Sequence, residues 1–247
     1  MVDTYSPTVA FDLRKISSSA TNCIRVRRAS DNAEQDIGFS GNDLDTSALS
    51  SFSSGTDSVI VKWYNQGTGG ATYDMVQTVT ASQPVIYTGG AVVTVNGKPA
   101  MSNTGSRYLE FTNTFTTNCS LFSVTSSSTA TGTPKIMLGQ GASGAYLWLC
   151  LDGSTSTTVY SASGTPSLYV NSALLSSPTR DDLDTNFTGQ ALGSTLNLDL
   201  TSWSLIRTLR GGNNPFDYWQ SLILFDTDES ANRTAIETNI NSYYTIT

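Results

Sequence analysis

Acid–base chemistry in this chain would have to run on carboxylates, because the sequence contains no His. That absence removes Ser-His-Asp triads, Cys-His dyads and His-ligated zinc together. Glycoside cleavage needs only two carboxyl groups, about 5–5.5 Å apart when the anomeric configuration is retained. The candidates are Asp31 with Asp36, Asp43 with Asp45, Asp152, and the cluster Asp181, Asp182 and Asp184. The ordinary role of such residues is a helix cap or a turn. Calcium at the Asp181–Asp184 loop would have oxygen ligands, but the spacing fits no EF-hand loop. We therefore expect no metal and no cofactor. Flat aromatic faces beside planar polar groups suit sugars, and Trp63, Tyr64, Asn65 and Gln66 offer both in one stretch. Trp148, Trp203, Tyr218 and Trp219 are further aromatic candidates, with core packing as the competing role for each. Arg25, Arg27 and Arg28 form the one dense basic patch, a candidate interface or a charged outer strand face.

Composition narrows the classes. Of 247 residues, 13 are basic and 20 acidic, a net charge of -7. An acidic chain without a basic field is not expected to bind a phosphate backbone. There is no G-x-x-x-x-G-K-[ST] and no G-x-G-x-x-G. No apolar run approaches the roughly 18 residues of a membrane span, so no membrane insertion is expected. The start Met-Val-Asp-Thr-Tyr-Ser carries neither a basic nor an apolar signal region. Charged residues are only 13%, while Ser and Thr total about 70 residues, a balance typical of β-sandwich surfaces. Cys23, Cys119 and Cys150 are odd in number and far apart, which reads as buried small side chains rather than a disulfide framework.

The elements that must position these residues are mostly strands. Ala10–Ile16 has apolar residues at helical spacing and predicts a short helix. Asn22–Arg28 alternates, with Ile24 and Val26 on one side and Cys23, Arg25 and Arg27 on the other. Asp45 can cap a helix carrying Ala48, Leu49 and Phe52. From Val59 onward short strands dominate: 59–63, 84–87, 91–95, 98–102, 108–111, 120–126, 135–138, 146–151, 157–161, 167–170, 196–200, 204–209 and 218–225. Asn96-Gly97 is a type I′ hairpin signal, and Asp152-Gly153 a second. Ser230 can cap a final helix with Ala231, Ala235, Ile236, Ile240 and Tyr243 on one side, covering an edge or open end of the sandwich. With no linker and no repeat, residues 1–247 read as one domain.

The segments Phe11-Asp-Leu-Arg-Lys-Ile16, Ile24-Arg-Val-Arg-Arg-Ala-Ser-Asp-Asn32, Asp36-Ile-Gly-Phe39, Asp43-Leu-Asp45, Lys62-Trp-Tyr-Asn-Gln66 and Val93-Thr-Val-Asn-Gly-Lys-Pro99 resemble the catalytic domain of the arabinofuranosidase B family. They are closer still to shorter bacteriophage and bacterial proteins with a laminin G-like version of it. Ser221–Phe225 and Ser230–Tyr244 are similar to the closing strand and helix of those phage proteins. The resemblance implies an all-β, concanavalin A-like (jelly-roll) antiparallel sandwich with short N-terminal helices and one C-terminal helix. It also places Asp152 where the enzymes carry their nucleophilic Glu and Cys150 where they carry a carboxylate. Asn213, after Gly211-Gly212, stands where they carry the acid Asp. Asn cannot give and recover a proton, so the resemblance implies lost catalysis. The family's Tyr-Asp-Gln reads Tyr64-Asn65-Gln66, and its disulfides are not reproduced. The expectation is a non-enzymatic bacteriophage virion surface protein, a decoration, fibre or tail-attachment module assembled in the host cytoplasm. It would be a homo-oligomer contacting other virion proteins or a host surface glycan. A carbohydrate-binding module and an arabinofuranosidase-type hydrolase are the alternatives.

Overall fold

Strand patterning produces two antiparallel sheets in the computed structural model, which describes residues 1–105, 107–127, 138–140, 147–148, 166–178, 180–208 and 216–246. The back sheet runs, in spatial order, Val9–Asp12, Tyr218–Phe225, Cys119–Ser127, Gly189–Leu198, Ser167–Val170 and Ala173–Leu175. The front sheet runs Glu34–Ser40, Asn22–Arg28, Ser58–Trp63, Met75–Val76, Glu110–Thr112, Leu205–Arg207, Leu138–Gln140 and Leu147–Trp148. Two short strands, Val85–Thr88 and Met101–Ser102, join the sheets along one side. The result is an all-β sandwich of the expected class. The expected strands 146–151 and 157–161, the start of 135–138, and the Asp152-Gly153 turn lie wholly or partly outside the described residues.

Alternation explains why the back sheet is apolar on both faces. Phe11, Leu121, Leu222 and Leu224 point to the front sheet and build the main core with Ile24, Trp63 and Phe111. Their neighbours Ala10, Phe122, Ile223 and Phe225 point outward, where Ile236, Ile240 and Tyr244 of the helix Arg233–Tyr244 cover them. Burying each such side chain contributes roughly 1.5–3 kcal/mol. A twelve-residue helix is marginal alone, so this docking holds it rather than intrinsic propensity.

Four expectations are corrected. Ala10–Ile16 is not helical: Val9–Asp12 is a strand paired to Ser221–Leu224, and a short helix lies earlier, at Val2–Tyr5. The terminal helix starts after Asn232 rather than at a Ser230 cap; Ala231 and Ala235 are exposed, and Glu237 is buried, paired with Arg233 at 2.6 Å. That helix covers a sheet face, not an edge or an open end. Asp181–Asp184 is not a loop but part of the helix Arg180–Asn186, and no metal-binding cluster occurs among the described residues. Asp45 does cap Thr46–Phe52, accepting from Ala48 N at 2.9 Å. Asn96 and Gly97 have φ of 49° and 71°, as a type I′ turn requires.

Candidate functional site

Trp63 closes the Ser58–Trp63 strand, and the three residues after it turn across the N-terminal strand. Trp63 is fully buried, with its ring 5.6 Å from Phe11, and Trp219 is equally buried against Phe216. Neither has a face for a sugar, which corrects that expectation for both; Trp203 is 2% exposed. Tyr218 is half-buried. Trp148 sits on the strand Leu147–Trp148, and its side chain lies outside the described set. Asp152, Asn213, Cys150 and Gly211-Gly212 also lie outside the described residues.

Asn65 and Gln66 hold the chain together. Asn65 Oδ1 accepts from Ala10 N at 2.7 Å and Gly67 N at 2.9 Å, and its Nδ2 donates to Thr8 O and Gly70 O. Gln66, 5% exposed, accepts from Ile16 N and donates to the carbonyls of Asp12 and Arg14 at 2.9 and 3.0 Å. Together they clamp residues 8–16, and Gly67 completes the clamp. A Cβ there would sit 2.6 Å from Thr8 O and 2.7 Å from Pro7 O, both backbone. Gly67→Ala is therefore expected to cost about 1–3 kcal/mol by overpacking, read as a lower urea midpoint with an unchanged m-value.

Tyr64 points the other way, half-buried at the surface. Its hydroxyl donates to Asp36 Oδ1 at 2.7 Å. Burial, helped by that bond, pushes its pKa up to about 12, so it is a neutral donor at ordinary pH. Lys62 Nζ lies 5.2 Å from its ring centroid and pairs with Asp74 at 3.2 Å. Asp74 also accepts from Asn65 N. Lys62, Tyr64, Asn65 and Asp74 line an open cleft of about 450 Å³ together with Thr21 and Asn22. Its lining offers hydroxyls, amides and part of an aromatic ring, chemistry suited to a hydroxyl-rich ligand. Asp74 is the one carboxylate among the described residues that line it.

The basic patch is internally matched. Arg25 pairs with Glu34 at 2.8 Å and Asp36 at 3.4 Å. Arg27 donates to Gln83 and Asn32. Arg28 pairs with Asp31 at 2.5 Å and lies over the Phe52 ring; Arg28 in turn holds the Asp31 carboxyl below its usual range.

One polar centre gave no motif in the sequence. Asp12, fully buried, pairs with Arg14 at 3.4 Å and accepts from Arg14 N at 2.8 Å and from the Tyr244 hydroxyl at 2.6 Å. Arg14 also donates to Asn239 O and Oδ1, and Tyr244 to Gln220 O. Burial raises the Asp12 pKa, against the opposing pull of Arg14 and Tyr244. These contacts fasten the terminal helix to the N-terminal strand. The one sequence signal was a carboxylate and a guanidinium two residues apart, alternating with Phe11 and Leu13.

No protein-family model matches the sequence, and no curated protein does either. Solved structures do resemble the fold. A GH54 α-L-arabinofuranosidase soaked with a cyclic sulfate inhibitor superposes with a TM-score of 0.52 at 14% identity. An arabinofuranosidase complexed with arabinofuranosyl-α-1,2-xylobiose gives 0.52 at 16%. Each match covers 95% of this chain but 62% of the enzyme. The chain thus shares the sandwich fold of the arabinofuranosidase B type.

Proposed function

We propose that this chain is a non-hydrolytic sandwich module that serves adhesion or assembly on the surface of a bacteriophage particle. In this reading it is a homo-oligomer whose partners are other virion proteins and a host surface glycan. The observation that carries the non-hydrolytic part is the cleft beside Tyr64. Among the described residues one carboxylate lines it, already committed to Lys62 and Asn65. The sequence adds Asn213 where the resembled enzymes have their acid. The cleft's hydroxyl and amide lining supports a glycan ligand.

The fold likeness favours a second reading, an arabinofuranosidase-type hydrolase using Asp152. A chromogenic arabinofuranoside assay, a glycan array and light scattering on the purified chain separate the two. The first reading expects no turnover and a defined oligomer, with any glycan signal weakened about tenfold or more by Tyr64→Ala, the scale of 1–2 kcal/mol for a lost ring contact and hydrogen bond. Turnover abolished by Asp152→Asn overturns it in favour of the hydrolase. A monomer that binds no glycan overturns it outright.

A further inference from the structure

We propose that Asn96 is a site of spontaneous deamidation whose product loosens the C-terminal helix. Asn96-Gly97 is the one Asn-Gly pair in the chain. It forms the exposed tip of a short hairpin that pairs Lys98 with Val95 and Pro99 with Thr94, continued by Ala100 N on Val93 O and tied at its base by Gln220 Nε2 to the carbonyls of Val95, Lys98 and Pro99. Asn96 Nδ2 reaches across to the helix end, within 3.1 Å of Tyr244 O and 3.2 Å of Thr245 O, Thr245 Oγ1 and Gln190 Oε1. It thus donates to carbonyls at the end of Arg233–Tyr244, where the helix itself supplies no donor. Tyr244, at that end, carries the hydroxyl that bonds the buried Asp12.

The chemistry is intramolecular. The Gly97 backbone nitrogen attacks Asn96 Cγ, and a new N–C bond closes a cyclic imide. The Cγ–Nδ2 bond breaks, and Nδ2 leaves as ammonia with the proton given up by the Gly97 nitrogen. Water then adds to one of the two imide carbonyls and reopens the ring, leaving aspartate or isoaspartate. Only water is consumed. Glycine has no Cβ to block the approach. The contacts of Nδ2 restrain the side chain, so reaction proceeds when the short hairpin opens.

The product reverses the electrostatics. A carboxylate replaces the donor and faces Tyr244 O, Thr245 O and Gln190 Oε1 at the negative end of the helix dipole. The last turn then loses the Asn96 bonds and keeps, of its contacts to the hairpin, that of Lys98 Nζ, 3.9 Å from the Tyr243 ring centroid.

The test ages the purified chain at mildly alkaline pH, below its unfolding temperature. Converted and unconverted forms are separated by ion exchange, mapped by peptide mass spectrometry and compared by hydrogen exchange. A peptide spanning Val93–Pro99 serves as the chemical reference. The expected result is conversion at Asn96, with roughly tenfold faster exchange in the last turn of Arg233–Tyr244 in the converted fraction. Asn96→Asp shows that exchange without ageing, and Asn96→Gln, whose larger ring closes far more slowly, shows no conversion. The proposal is overturned if Asn96 stays intact after the reference peptide has converted, or if the converted fraction exchanges like the unconverted one.

Discussion

Replacing Arg14 with Met is expected to lower the free energy of unfolding by about 3–5 kcal/mol, the usual cost of removing one partner from a buried ion pair. The variant leaves Asp12 buried without its guanidinium and frees Asn239 from Arg14. Urea unfolding monitored by tryptophan fluorescence measures the loss. The cost comes from the stranded charge and not from the missing attraction, so Asp12→Leu together with Arg14→Met should recover most of the stability. In that double variant the Tyr244 hydroxyl keeps Gln220 O as acceptor.

The pH dependence follows from the same group. The folded-state pKa of Asp12 stands above its ordinary 3.8 because burial outweighs Arg14 and Tyr244. Its protonated form therefore favours the folded state, a contribution fully present below pH 3.8 and lost as pH rises through the folded value. Without Arg14 the folded pKa rises further. The gap between wild type and Arg14→Met should be widest above both folded values and shrink as pH falls toward 3.8. A gap independent of pH would remove Asp12 from the explanation.

Trp63→Ala should cost about 3–5 kcal/mol, the range for emptying a buried aromatic site. The ring is wholly enclosed between the sheets against Phe11, and its strand is pinned on both sides. Tyr64→Ala, one residue on, removes a half-buried ring and one hydrogen bond to Asp36, and should cost about 0.5–1.5 kcal/mol. Equal losses at the two positions would contradict the division of the motif into a core residue and a surface residue. The same pair checks the function: a ligand signal lost in Tyr64→Ala but kept in Trp63→Ala, at a temperature where both variants are folded, belongs to the cleft.

The sequence by itself determined the sandwich class, the Asp45 cap, the Asn96-Gly97 turn and most strand positions. Those depend on local chemistry: a side chain reaching its own helix start, two residues with positive φ, and apolar alternation with period two. The tertiary structure alone decided the rest. Val9–Asp12 read as helix because both of its faces are buried, one under the front sheet and one under the terminal helix, which erases the polar alternation of an ordinary strand. For the same reason no pattern could say that Trp63 and Trp219 face the core, or that Asn65 and Gln66 spend their amides on residues fifty positions earlier. Glu34 for Arg25 and Gln83 for Arg27 come from neighbouring strands and loops, and the Asp12–Arg14–Tyr244 centre joins the two ends of the chain. Contacts between residues remote in sequence leave no local signature, because only the paired sheets bring them within hydrogen-bond range.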